Sequence, residues 1–533
     1  MEKKSKRRIA WIVIMAMLLI TVVPAGFAFA KVEDAGSNVE DQGTASDQQP
    51  VAAEPEQKDG ETGSEQATEV PVASESEQEQ LNGFTEENGE TVFYADGKKL
   101  TGFQTIEEEV YYFSIPDGYM LKGLQTIGKY KYLFDEETGK MLKGIQTVED
   151  HQYYFSEKSG KMLKGFRTID DVIYYFSSKT GRMLKGLQTI KGDKYYFDPE
   201  DGHQITGFAE TGNNIRYFDP ETGKMCKGFT KVGDDTYYFK ETNGKMLTGL
   251  KKINGNKYYF DENDGKLFHG FKKINGSKYY FGKNTGRMVF GFIKISGAKY
   301  YFGKSSGKMF TGLHKIGKNV YTFNKKGKLI RTVYGDKKAI CLTWDDGPSE
   351  NTSKIMKSLT DNDGRGTFFV VGNRVDAYSK TLKKNYKAGN QIGNHTWSHP
   401  VLSNLSASDI KSQISSTSKR IKKYTGEAPK ITRTPYGINT EYVRTNVNMP
   451  IILWSVDTLD WKTRNADSTY NSIMTHAKDG AVVLMHDLYS ETAAAAVRAI
   501  PALRDKGFQL VTVEEMALIK GYKLKNATVY TNF

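Results

Sequence analysis

Cysteine is nearly absent from this chain, with two in 533 residues, which excludes a disulfide-stapled scaffold and a Cys-rich zinc fold. Tryptophan is scarce as well: there are five, and residues 31–343 contain none. Residues 31–80 lack aromatic side chains altogether and consist mainly of Glu, Gln, Ser, Ala, Thr and Gly. Such a stretch cannot bury enough apolar surface to offset chain entropy, so it is expected to be a disordered spacer extended by its like charges. Outside residues 9–23 no long apolar run occurs. That run follows a basic start, M-E-K-K-S-K-R-R, and precedes A-F-A at Ala28–Ala30, the pattern of a secretory signal peptide at 1–30. An uncleaved anchor helix is the alternative, and would be the chain's one attachment to a membrane.

The formal net charge is +12 and unevenly spread. Residues 1–30 carry +4 and residues 31–80 carry −12, which leaves +20 on residues 81–533. Basicity alone suggests nucleic acid, but an exported chain has little access to it, so no nucleic-acid partner is expected.

What the chain has in abundance is a repeat. Glycines recur every 21 residues from Gly102 to Gly312, in units of the form K-G-L-Q-T-I-(x)4-Y-Y-F-(x)4-T-G-K-M-L. A strict period of this size signals a solenoid. Short apolar and Y-Y-F segments separated by glycine turns predict a chain of β-hairpins over 81–333, each stacked on its neighbours. Of the 60 Tyr and Phe residues, 45 lie between 84 and 334, so the array's core should be aromatic. These units resemble the cell-wall-binding repeats of choline-binding and glucan-binding surface proteins and of large secreted toxins. Choline-binding repeats rely on Trp, which this array lacks, and its many Lys favour an anionic wall polymer such as a teichoic acid.

After Tyr334 the period stops and strands alternate with helices, the texture of an α/β domain with a mainly parallel sheet over 334–521, ending in a short tail at 522–533. Strands are expected near 338–344, 367–371, 451–456 and 481–485, with helices near 351–359 and 408–424. Polar clusters stand where these strands end: Asp345-Asp346-Gly-Pro, His395-Thr-Trp-Ser-His399, Arg433-Thr-Pro435-Tyr436-Gly437, Asp457-Thr-Leu-Asp460-Trp461 and Leu484-Met-His486. The C-terminal ends of parallel strands are where such folds carry chemistry. Each cluster alone is weak, since paired Asp often mark a turn. Five together are hard to explain as surface decoration.

In order and spacing, the five clusters resemble the motifs of polysaccharide deacetylases of the NodB-homology, carbohydrate esterase family 4 type. Trp344 stands where that family usually has Phe. The resemblance implies a distorted (β/α) barrel with fewer than eight repeats. It also implies a divalent metal, zinc or a similar ion such as cobalt, on Asp346, His395 and His399, with positions left open for water and substrate. Asp345 would be the general base, Arg433 its orienting cation, and the backbone N–H of Tyr436 an oxyanion donor. His486 would protonate the leaving amine, held by Asp457. Pro435 and Trp461 would line the sugar groove and Leu484 the acetyl pocket, although ordinary core packing accounts for Trp461 and Leu484 nearly as well. His476 lies outside every motif and reads as structural.

The expectation is a secreted, wall-retained, metal-dependent N-deacetylase acting on N-acetylglucosamine units of peptidoglycan or a chitin-like polymer. Retention is assigned to the repeats because the C-terminus shows no sorting motif. An O-acetyl esterase of the same family, acting on a xylan-type glycan, is one alternative. A catalytically silent adhesive protein is another, and the complete set of metal, base and acid residues argues against it.

Overall fold

The computed structural model describes residues 81–533, so the expected signal and spacer lie outside the described residues. Two compact units emerge. One comprises the described residues up to Lys251 with Tyr259–Leu267, and the other Lys252–Tyr258 with Phe268–Phe533.

The first unit is a run of antiparallel hairpins. Gly102–Ile106 pairs with Glu109–Phe113 in the register Gly102↔Phe113 and Ile106↔Glu109, and the pattern repeats along the array. Both central residues of the tight turn, Glu107 and Glu108, have positive φ (49° and 69°), as a two-residue turn matched to strand twist requires. Phe113 and every twenty-first residue on to Phe260 are fully buried. The aromatics bridge successive units: the Phe166 ring lies 4.7 Å from Tyr175 in its own hairpin and 5.2 Å from Tyr195 in the next. The aromatic core expected from composition is therefore built mainly of contacts between units, which a lone hairpin could not supply. Gly139 closes the outer turn, where a Cβ would come within 2.5 Å of the Met120 sulfur.

The second unit carries the last hairpins and the α/β domain. Five parallel strands lie side by side in the order Gln391–Asn394, Thr367–Val370, Ala339–Gly347, Val482–His486, Val456–Asp457. Parallel bridges continue from Asn394 to Thr432 and from Thr432 to Ile451. Segment 451–457 is thus reached from both edges, and the sheet closes into a distorted barrel with fewer than eight staves. Val529–Tyr530, in the expected tail, adds to it by pairing with Ile451–Ile452.

Side chains alternate along Ala339–Gly347. Ile340, Leu342 and Trp344 pack with Ile355, Leu359 and Ala496 of the surrounding helices. Ala339 and Cys341 turn the other way and pack with Phe369, Ile431 and Val482. Thr343 and Asp345 share that inward parity, so the barrel interior becomes polar at the strand's C-terminal end. The opposite end is filled by the last hairpin, whose Val320 and Val333 are buried in the same cluster. Arg331 fastens it: Nε donates to Glu515 at 3.0 Å, and the two other guanidinium nitrogens donate to the carbonyls of Asp363 and Leu510 at 2.9 Å each. The division expected after residue 333 follows the sequence period, and the packing crosses it.

Candidate active site

The first cluster sits where Ala339–Gly347 ends. Its pairing with Thr367–Val370 shifts register between Trp344 and Gly347, and Asp346 has φ +68°. This irregularity turns Asp346 out of strand alternation, so neighbouring carboxylates can face different partners. The Asp345 carboxylate stays inside the barrel, 3% exposed, where it accepts a 2.8 Å hydrogen bond from the Arg433 guanidinium. Arg433 is fully buried. It also donates to Thr343 Oγ1 at 2.8 Å and to the carbonyls of Ile452 and Leu453 at 2.8 and 3.0 Å. Five donors in a rigid fork suit Arg to this position, where a Lys could not reach all four acceptors.

Asp346 meets the second cluster. Asp346 Oδ1 lies 3.4 Å from His395 Nε2 and 3.4 Å from His399 Nε2. The two histidines follow the strand Gln391–Asn394 in a loop, not on a helix face. Thr396 and His399 have φ +65° and +59°, and the side chain of Gln413 anchors the loop by accepting from the N–H groups of Trp397 and Ser398. Gln413 belongs to the helix Ala407–Thr425, which Ser406 caps at its start and Gly426 ends in a left-handed turn. His395 Nδ1–H donates to the Arg433 carbonyl at 2.6 Å. Since a carbonyl only accepts, this bond leaves the Nε2 lone pair facing Asp346, the usual outer support of a metal-ligating histidine.

These three residues fit a divalent cation. Their ligand atoms all lie within 4.8 Å of one another, and Asp346 Oδ1 is buried with no hydrogen-bond partner. Burial opposes ionisation of Asp346, but the neighbouring imidazoles of His395, His399 and His486 outweigh it and hold its pKa at about 2. Burial and the neighbouring His395 lower the pKa of His399, which favours the neutral ligand form.

The structure corrects one assignment. His486 is held by Asp460, not Asp457: His486 Nδ1 donates to Asp460 Oδ1 at 2.8 Å. The other Asp460 oxygen accepts from the His486 backbone N–H and from Thr492 Oγ1, both at 2.7 Å. Asp457 instead accepts from the Leu459 N–H at 2.9 Å, closing its own turn. Both carboxylates belong to one motif. Leu459, at φ +53°, reverses the chain between them, and sequence spacing alone does not disclose that reversal. Burial works against the imidazolium of His486, but Asp460 first, then Asp345 and Asp346, raise its pKa above the ordinary value.

The other residues expected at the site divide by exposure. Tyr436 is 67% exposed at φ +58°, with its ring 4.8 Å from that of His399. Hydrogen bonds in its turn are made by the N–H groups of Gly437 and Ile438, to Thr434 and Pro435, and the Tyr436 N–H is not spent on them. Trp461 is 49% exposed, as a groove wall should be, whereas Pro435 and Leu484 are buried. His476 donates to or accepts from nothing in the site; its Nδ1 lies 2.9 Å from the Ser472 carbonyl on its own helix. Both cysteines are free.

Comparison with known proteins places this geometry. The polysaccharide deacetylase family matches residues 332–449. A peptidoglycan-N-acetylglucosamine deacetylase of Bacillus cereus is 34% identical over 197 residues, covering 35% of this chain and 92% of that protein. The chain belongs to the polysaccharide deacetylase family. Among other family members, the peptidoglycan-N-acetylmuramic acid deacetylase PdaC of Bacillus subtilis (strain 168) is 43% identical over 190 residues, 36% of this chain and 41% of PdaC. The peptidoglycan-N-acetylglucosamine deacetylase PgdA of Listeria monocytogenes serotype 1/2a is 39% identical over 180 residues, 34% of this chain and 39% of PgdA. The chain thus spans about two-fifths of the length of these two relatives. Upstream of the deacetylase region, the choline-binding repeat family matches residues 100–143, 121–164, 184–227, 226–269 and 268–312.

Proposed function

We propose that this protein is an exported, wall-associated, metal-dependent polysaccharide N-deacetylase that removes acetyl groups from N-acetylglucosamine units of peptidoglycan. The observation that carries the reading is a pair of groups on neighbouring strand ends, each held by its own partner: Asp345 fixed by Arg433, and His486 fixed by Asp460. Hydrolysis of an acetamide needs a base for the attacking water and an acid for the leaving amine, and this pair supplies both.

Asp346, His395 and His399 would hold the ion. When bound, a divalent ion, zinc in this reading, polarises the acetamide carbonyl and makes a water more acidic. Asp345 takes the water's proton, with Arg433 keeping the carboxylate aimed. The Tyr436 N–H donates to the oxyanion that develops on the carbonyl. His486 delivers its Nε2 proton to the departing sugar nitrogen, and Asp460 stabilises the imidazolium beforehand. Trp461 offers its exposed face to the sugar ring.

The polymer rests on the relatives, whose names specify peptidoglycan and divide between its two amino sugars. The repeats would retain the enzyme at the wall. Lysines already cover aromatic faces there, with Lys278 Nζ 4.7 Å from the Phe271 ring centroid and Lys299 Nζ 4.6 Å from that of Phe292. This occupancy favours an anionic polymer such as a teichoic acid over a choline cation.

The test is acetate released by the full chain, supplied with divalent metal, from peptidoglycan and from O-acetylated xylan. Faster release from peptidoglycan is expected. Release from xylan alone would replace the amidase reading with an esterase, and release from neither would overturn the enzyme reading.

A further inference from the structure

Beside the site stands a cation that the reaction does not use. Arg464 follows Trp461 by three residues, at φ +45°, where it ends the short helix Asp460–Thr463. Its Nε donates to the Trp461 carbonyl at 3.0 Å, and its guanidinium carbon lies 3.3 Å from the centroid of the Tyr489 ring. The Tyr489 ring is in turn 5.8 Å from that of His486. Stacking and the Nε bond fix the guanidinium, yet Arg464 is exposed and, among the described residues, pairs with no carboxylate. The nearby acids are otherwise engaged, Asp460 by His486 and Asp467 by Arg498. Two NH2 groups of a pre-positioned guanidinium therefore face solvent along the wall formed by Trp461, close to the proposed proton donor. A rigid fork of this kind matches a planar carboxylate.

We propose that Arg464 binds a carboxylate carried by the glycan next to the sugar being deacetylated, the 3-O-lactyl carboxylate of a muramic acid residue that bears no stem peptide, and so sets a preference for peptide-free peptidoglycan strands over neutral chitin-like chains. This inference rests on the deacetylase reading and names the substrate feature selected within it. Tyr489 acts as a platform that keeps the guanidinium flat, and the Trp461 carbonyl fixes its rotation. A Lys at the position would keep the charge but lose the fork and much of the stacking.

The experiment compares kcat/KM of the full chain on chitotetraose and on a peptide-free peptidoglycan tetrasaccharide with free lactyl carboxylates. The wild type should prefer the carboxylate-bearing substrate, and Arg464→Gln should reduce that ratio about tenfold, mainly through KM. Arg464→Lys should retain part of it. A probe that needs no variant is the same tetrasaccharide with its carboxylates converted to methylamides, for which the wild-type preference should vanish. An unchanged ratio in Arg464→Gln, or a wild-type preference that survives amidation, would overturn the proposal. Failure to deacetylate either substrate would instead count against the deacetylase reading.

Discussion

Replacing Asp460 by Asn separates the observed charge pair from the one that motif order suggested. The Asp460 carboxylate accepts four hydrogen bonds, from His486 Nδ1 at 2.8 Å, from the His486 N–H and Thr492 Oγ1 at 2.7 Å each, and from the Trp461 N–H at 2.9 Å. Asn keeps the shape and can retain two of the acceptor contacts, so the fold should survive. What is lost is the charge-assisted part of the bond to the imidazolium, about 1.5–3 kcal/mol. Expressed fully in the protonation of the leaving amine, that is about a 10- to 150-fold fall in kcat. The pH profile supplies the sign. Burial lowers the His486 pKa while Asp460, Asp345 and Asp346 raise it, and the balance is upward. Removing the Asp460 charge lets burial weigh more, so His486 sheds its proton at lower pH and the alkaline limb of kcat moves down the scale. Asp457→Asn touches only a turn bond to Leu459 and should stay within about twofold of wild type. Acetate release from peptidoglycan, followed across pH for the full chain, is the assay. A collapse in Asp457→Asn beside near-normal Asp460→Asn would refute the reasoning.

Three further outcomes follow from the packing. His395→Ala should abolish binding of one equivalent of zinc in calorimetry, whereas Asp345→Asn should keep the ion and lose turnover; full activity of Asp345→Asn would remove it as the base. Arg331→Met leaves Glu515 buried without its partner and should destabilise the second unit by about 3–5 kcal/mol in urea, where an unchanged midpoint would contradict the barrel-floor role of the last hairpin. Asp487 is buried against Ser349 and Thr352, and burial pushes its carboxyl up to about 6. Because that value lies above the unfolded one, its stability is present at low pH and lost as pH rises through 6. Asp487→Asn escapes that loss, so its stability relative to wild type should improve by about 3 kcal/mol between pH 4 and 7.5, and a pH-independent difference would refute the assignment.

Much of this was legible in the chain because two signals are strong. The 21-residue period prescribes stacked hairpins, and the buried Phe series from Phe113 onward keeps that period residue for residue. The strand-end clusters locate the site because parallel strands deliver their C-termini to one rim. Less legible was whatever depends on backbone direction inside a loop. Asp457 and Asp460 are equally plausible partners for His486 until the left-handed Leu459 decides between them. Arg464 gave no signal, since a lone Arg in a polar loop gains meaning only beside Tyr489 and Trp461. The last hairpin's share in the barrel was hidden by the repeat itself: Val320 and Val333 fit the array's pattern while packing into a different core.

The central claim is that Asp346, His395 and His399 hold an ion on which deacetylation of peptidoglycan depends. The direct measurement is acetate released from N-acetylated peptidoglycan by the full chain after chelation and again after stoichiometric zinc. Release should stop on chelation and return with about one ion per chain. Acetate release that persists in the chelated, metal-free protein would contradict the claim.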